Sequence, residues 1–176
     1  GRATYGAQWA KTATGGANDA QFNAVGHDSA GSVYAAGVIF GTGTYDFGNG
    51  IAQAGSNDGY YTAALVKYDS SGLAQWATVS TAGGDDSKFE GVASDADGNT
   101  FAVGRIHGTG TFDFGNGVTA TGAYSGDNIV IVKYDSYGTA QWARTVLSAS
   151  DESSFNAAAI DPSGNIYAVG IIGGRS

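Results

Sequence analysis

Tyr68-Asp69-Ser70-Ser71-Gly72-Leu73-Ala74-Gln75-Trp76-Ala77 returns as Tyr134-Asp135-Ser136-Tyr137-Gly138-Thr139-Ala140-Gln141-Trp142-Ala143, and a clipped form, Tyr5-Gly6-Ala7-Gln8-Trp9-Ala10, opens the chain. The three tryptophans stand 67 and 66 residues apart, and the other recognisable segments recur at the same spacing. A fixed period of this kind marks tandem supersecondary units whose apolar faces are buried only against their neighbours.

Working outward from the tryptophan phrase, four segments make up each unit. Segment A is Phe22-Asn23-Ala24-Val25-Gly26, with counterparts at Phe89-Glu90-Gly91-Val92-Ala93 and Phe155-Asn156-Ala157-Ala158-Ala159. Its small residues predict a strand at a crowded position where backbones pack closely. A turn follows in each copy: Asp28-Ser29-Ala30-Gly31-Ser32, Asp95-Ala96-Asp97-Gly98-Asn99 and Asp161-Pro162-Ser163-Gly164-Asn165. The leading Asp and the glycine at the fourth place predict a type I turn with that glycine in the left-handed region. Strand B follows at 33–40, 100–107 and 166–172, so A and B form a hairpin.

Between B and C lies Gly41-Thr42-Gly43-Thr44-Tyr45-Asp46-Phe47-Gly48-Asn49-Gly50, repeated as Gly108-Thr109-Gly110-Thr111-Phe112-Asp113-Phe114-Gly115-Asn116-Gly117. Its Asn-Gly step predicts a small extra hairpin, pinned by a phenyl ring. Strand C (63–68 and 129–134) is the most apolar stretch, and strand D carries the tryptophan. No segment repeats its apolar residues at helical spacing, so essentially no helix is expected.

Four short strands per unit, joined by tight turns and repeated in tandem, predict an all-β chain of four-stranded antiparallel β-propeller blades. The phrase from Tyr68 to Trp76, with Asp161-Pro162-Ser163-Gly164-Asn165-Ile166-Tyr167-Ala168-Val169-Gly170, resembles the bacterial seven-bladed propeller-type repeats of secreted and surface proteins. The likeness covers nearly the whole chain except the long B–C loop. The Tyr-Asp-Ser-Ser-Gly-x-x-x-Trp piece also looks like the docking repeat of quinoprotein propellers, which implies that Trp9, Trp76 and Trp142 wedge against adjacent blades. The resemblance implies an extracellular or cell-surface bacterial location.

The strand inventory divides the chain into residues 1–21 (strand D of a composite blade, plus a loop), 22–79 (one blade), 89–145 (a second) and 155–172 (strands A and B of the composite blade). Propellers close with about four to eight blades, so the ring is incomplete in one chain. Uncovered sheet edges invite pairing. The expected partner is another copy of the chain, giving a homo-oligomer through blade completion, or further blades of a longer chain. Gly1 reads as a processed or cloned start and Gly174-Arg175-Ser176 as a cloning scar.

Composition narrows the function classes. The 176 residues are 42% hydrophobic and include 30 glycines and a single proline, enough for one domain with a sizeable core and many tight turns. The formal charge of −8, from 8 Lys and Arg against 16 Asp and Glu, speaks against nucleic acid and anionic membrane partners. No apolar run approaches the roughly 20 residues a membrane-spanning helix needs. Without cysteine there is no disulfide, thiol nucleophile or zinc-thiolate site.

The chemistry-bearing motifs read mostly as structure. Gly41-Thr42-Gly43 and Gly108-Thr109-Gly110 lack the strand-then-helix setting of a phosphate loop, and Asp46-Phe47-Gly48 is a turn. Asp95-Ala96-Asp97-Gly98-Asn99 resembles part of a calcium loop, but the equivalent turns keep only Asp28 and Asp161, as a residue capping its own turn would. His27 and His107 sit at different places in the repeat. No catalytic, cofactor-binding or metal residues are therefore assigned, and no cofactor is expected.

The remaining candidates lie on loops. Asn18-Asp19, Asp85-Asp86 and Asp151-Glu152 precede strand A in each copy and read first as solvated, charge-bearing loops; the alternative is that Asp19, Asp86 and Glu152 line a rim of negative potential around a common axis. Tyr60, Tyr61 and Tyr124, before strand C, could serve as platforms for a glycan. The expected function is a non-catalytic scaffold or interaction module, with a carbohydrate-binding propeller holding one site per repeat as the alternative.

Overall fold

The computed structural model describes residues 7–173, all outside helices. Tyr5 and Gly6 of the clipped phrase, the start at Gly1 and the Gly174-Arg175-Ser176 tail lie outside the described residues. In chain order the first strands are β1 (Thr14–Gly15), β2 (Ala20–His27), β3 (Val33–Phe40), β4 (Thr44–Asp46), β5 (Ala52–Ala54), β6 (Tyr61–Tyr68) and β7 (Ala74–Val79). The next repeat supplies β8 (Thr81–Ala82), β9 (Ser87–Ser94), β10 (Thr100–His107), β11 (Thr111–Asp113), β12 (Thr119–Thr121), β13 (Asp127–Tyr134) and β14 (Ala140–Thr145). The chain ends in a hairpin of β15 (Ser153–Ile160) and β16 (Ile166–Ile172).

Two antiparallel four-stranded sheets result, β2-β3-β6-β7 and β9-β10-β13-β14, each a meander in which A, B, C and D pair in sequence order. They stack face to face, the terminal hairpin continues the stack, and β9 touches both β2 and β15. We call the face of each sheet toward the preceding repeat its leading face and the opposite one its trailing face.

Local sequence explains the turns. In all three A–B turns the Asp carboxylate accepts backbone N–H groups two and four residues on: Ala30 and Ser32 at Asp28, Asp97 and Asn99 at Asp95, Ser163 and Asn165 at Asp161. The fourth-place glycines Gly31, Gly98 and Gly164 have φ of 83°, 80° and 85°, a region where only glycine is unstrained. The Asn-Gly turns also form as expected. Asn49 and Asn116 take φ of 56° and 54°, and their amides donate to the Ala74 and Ala140 carbonyls of strand D at 2.9 and 3.1 Å.

Strand C begins two residues earlier than its apolar run suggested, at Tyr61 and Asp127. The small hairpins β4–β5 and β11–β12 each gain a third strand, β1 and β8, contributed by the linker that enters the repeat. Phe47 and Phe114, the expected pins, are fully buried. Residues 7–13, expected as a D strand, form no ladder, because no described strand lies beside them to pair with. They nevertheless lie on the leading face of the first sheet, where Trp9 and Ala13 pack against a core containing Ala35, Ile39, Tyr45, Phe47, Val66 and Tyr68. The other core fills the seam between the two sheets, with Tyr34, Ala36 and Leu65 on one side and Phe89, Val92, Ala102, Val132 and Tyr134 on the other.

Candidate functional site

The polar chemistry of the chain concentrates in the seams between repeats. Each A strand carries a bulge, at Asn23, Glu90 and Asn156. A bulge re-aims the side chain it frees, and Asn23 uses this to donate from Nδ2 to the Phe89 carbonyl of the next sheet at 3.0 Å. Opposite the bulges stand Gly37, Gly104 and Gly170, where a Cβ would collide with the Gln21, Lys88 and Ser154 carbonyls.

Further along the first seam, the Tyr34 hydroxyl donates to Asp28 Oδ2 at 2.9 Å and approaches the Gly98 carbonyl of the next repeat at 3.3 Å. Burial and the Asp28 carboxylate both push the Tyr34 pKa up, so the phenol stays a donor. Burial works against ionisation of Asp28, but hydrogen bonds from Ser32 and Tyr34 and the Lys67 charge outweigh it and hold the pKa below the ordinary carboxylate value.

The tryptophans sit on the turn that joins C to D in the following repeat. Trp76 Nε1 donates to the Ser136 carbonyl at 3.0 Å, and the indole lies on Gly138, where a Cβ would fall 2.7 Å from a ring carbon. Trp9 repeats this on Ser70, at 3.3 Å, and Gly72. Both glycines have φ of 81°, so ring contact and backbone conformation require the same residue. Trp142 has no described following turn; it packs instead beside Phe101, with the Arg144 guanidinium over its ring.

Of the acidic candidates, Asp86 holds the first seam. Its Oδ1 accepts the Tyr61 N–H at 2.7 Å, capping the start of strand C in the preceding sheet. Next to it, Ser87 Oγ accepts the Ala63 N–H at 3.0 Å and meets Ser80 Oγ at 2.6 Å. Ser153 repeats the first of these contacts toward Ile129 at 3.1 Å. Asp19 and Glu152 have exposed side chains, and their carbonyls accept the Phe40 and Gly173 N–H groups.

The aromatic candidates are not alike. Tyr60 is exposed. Tyr61 is enclosed by the edge of Phe40, at 4.9 Å between ring centroids, and by Lys88 Nζ, 4.1 Å from its own centroid. Tyr124 is half-buried in a tight turn whose N–H and carbonyl both bond to Asn128. At the opposite end, the three A–B turns surround a cleft of about 510 Å³ lined by His27, Asp95, Asp97 and Asp161. Its leading carboxylates are engaged in their own turns, and among the described residues no group of three His, Cys, Asp or Glu is arranged to hold a metal ion.

Sequence reasoning missed one cluster. On β10, Arg105 Nε lies 3.2 Å from Asp127 Oδ2, His107 Nδ1 lies 2.9 Å from Asp127 Oδ1, and Glu90 approaches Arg105 at 3.8 Å. The previous repeat has Val38, Phe40, Tyr61 and Asn23 at these positions, so the only sequence signal was a local break in an otherwise close repeat. Across the seam between the two sheets the donors, acceptors and apolar rings of one repeat meet those of the next. Neither a protein-family model nor a curated protein sequence matches this chain.

Proposed function

We propose that this protein is a non-catalytic scaffold: a run of β-propeller blades that completes its ring by pairing with units of its own kind, outside the bacterial cell. The observation that carries this reading is the repetition of the seam. Trp9 and Trp76 engage successive turns in the same way, and the linker strands β1 and β8 join successive small hairpins in the same way. Contacts of one kind that recur from seam to seam serve addition of further units. The polar side chains that recur from repeat to repeat are engaged in capping turns and tying seams, and the cluster of unlike groups, Arg105, His107, Asp127 and Glu90, is paired within itself. The glycan reading has less support, because Tyr61 and Tyr124 are held within the fold and only Tyr60 stands clear.

Light scattering across a concentration series tests the proposal. Association into a discrete species whose mass is a multiple of 17.7 kDa is expected. A stable 17.7 kDa monomer at every concentration overturns self-assembly.

A further inference from the structure

Two apolar faces are uncovered at opposite ends of the stack, and they match. On the trailing face of the terminal hairpin, Tyr167, Val169 and Ile171 are 56%, 64% and 61% exposed. On the leading face of the first sheet, the outer part is covered by the Trp9 segment. The inner part is open, with Phe22 and Val25 38% and 71% exposed beside Val33 and Ala35. The hairpin consists of the two innermost strands of a repeat, and the open area is where two innermost strands sit in the seam between the sheets.

The polar ends match as well. The first seam is tied by the bulge residue Asn23 to the Phe89 carbonyl and by Tyr34 to the Gly98 carbonyl. The second repeat has Glu90 and Phe101 at these positions, which can make neither bond. The hairpin restores both, as Asn156 and Tyr167, and Tyr167 already donates to Asp161 Oδ2 at 3.1 Å, as Tyr34 does to Asp28. Their acceptors by repeat equivalence are the carbonyls of Phe22 and Gly31, two residues exposed at that end of the stack.

We propose that the trailing face of the β15–β16 hairpin seats on the leading face of the first sheet in a second copy of this chain, with Asn156 donating to the Phe22 carbonyl and the Tyr167 hydroxyl set against the Gly31 carbonyl, its one hydrogen shared between that carbonyl and Asp161 Oδ2 as Tyr34 shares its own between Gly98 and Asp28. This rests on the scaffold reading and specifies its contact. The join is made through faces rather than through a shared ladder. In a four-stranded meander, B and D run parallel, so residues 7–13 are not an antiparallel partner for β16. The third-strand position between them is filled by no described residue of either copy. The contact is heterologous, so successive copies form a ring or a filament.

A cysteine pair tests the register. In the first seam a Cβ at Gly26 would lie 3.5 Å from Val92 Cγ1, and the equivalent positions across the proposed join are Ala159 and Val25. Side chains at these two positions are in direct contact across the seam, which is the proximity a disulfide needs. Since β9 lies between β2 and β15, the two positions are kept apart within one chain. The chain has no native cysteine. Mild oxidation of the Ala159→Cys, Val25→Cys double variant is expected to give covalent multimers, and each single variant far fewer. Asn156→Ala is expected to weaken association about fivefold, the loss of one hydrogen bond, and Tyr167→Phe about twofold, because its hydrogen is shared with Asp161.

Multimers by light scattering without cross-linking, and without an effect of either variant, overturn the face assignment and leave the scaffold reading standing. A monomer at every concentration overturns both. Circular dichroism matching the parent checks that each variant is folded.

Discussion

His107 and Asp127 stand where the preceding repeat has Phe40 and Tyr61, so one cross-strand pair is aromatic in one sheet and ionic in the next. The hydrogen bond to Asp127 raises the His107 pKa above its ordinary 6.5; burial opposes this, and Asp85, Asp127 and Asp86 add to it. Arg105 and Glu90 complete the charges in the cluster. A histidine whose pKa is higher in the folded chain contributes stability that is full below its unfolded pKa and is lost as pH rises through the folded value. Urea unfolding should therefore show a wild-type midpoint that falls on going from about pH 6 to 8.5, and His107→Gln should remove that part of the slope. With the His107 side chain 39% exposed, solvent screening limits the effect to about 0.2–1 kcal/mol. Identical slopes in both proteins would show that the pair contributes nothing.

Among the elements, the C–D turns and the tryptophans above them tie one repeat to the next. Trp76→Phe keeps most of the apolar ring and removes the donor to the Ser136 carbonyl, at a cost of about 1 kcal/mol. Trp142→Phe removes a donor that meets no following turn among the described residues, and should cost no more than about 0.5 kcal/mol. Thermal or denaturant unfolding of the two variants compares them directly, and equal losses would deny the seam its energetic role. The A–B turns, the Asn-Gly hairpins and the left-handed glycines were legible in the sequence because each is decided by a few adjacent residues. The third strand that β1 and β8 lend to the next hairpin was not legible: two-residue ladders leave no periodic pattern. The bulges at Asn23, Glu90 and Asn156 were equally hidden, since a single extra residue is visible only once its partner strand is known.

Across the whole molecule, stability should grade along the stack. In repeat architectures it is roughly the sum of unit and interface contributions. The first seam holds a continuous core from Tyr34 to Tyr134, whereas Val169, Ile171 and Ile172 of the hairpin are exposed. At dilutions where the chain is monomeric, hydrogen exchange followed by mass spectrometry should find β3, β6, β10 and β13 slowest and, among the long strands, β15 and β16 fastest, because local opening follows buried contact. Uniform protection across the three units would contradict a graded stack.

The amino-acid order alone determined the repeat length, the succession of strands and the turns between them, because backbone preference and side-chain alternation are settled among near neighbours in the chain. The folded arrangement alone decided that Asp86 caps the preceding sheet rather than standing on a free rim, and that Tyr61 is packed rather than presented. It also decided that His107, Asp127, Arg105 and Glu90 form one cluster. The physical reason is separation: Asn23 meets Phe89 across 66 positions and Trp76 meets Ser136 across 60. Such partners are chosen by how faces stack in space, which no local pattern records.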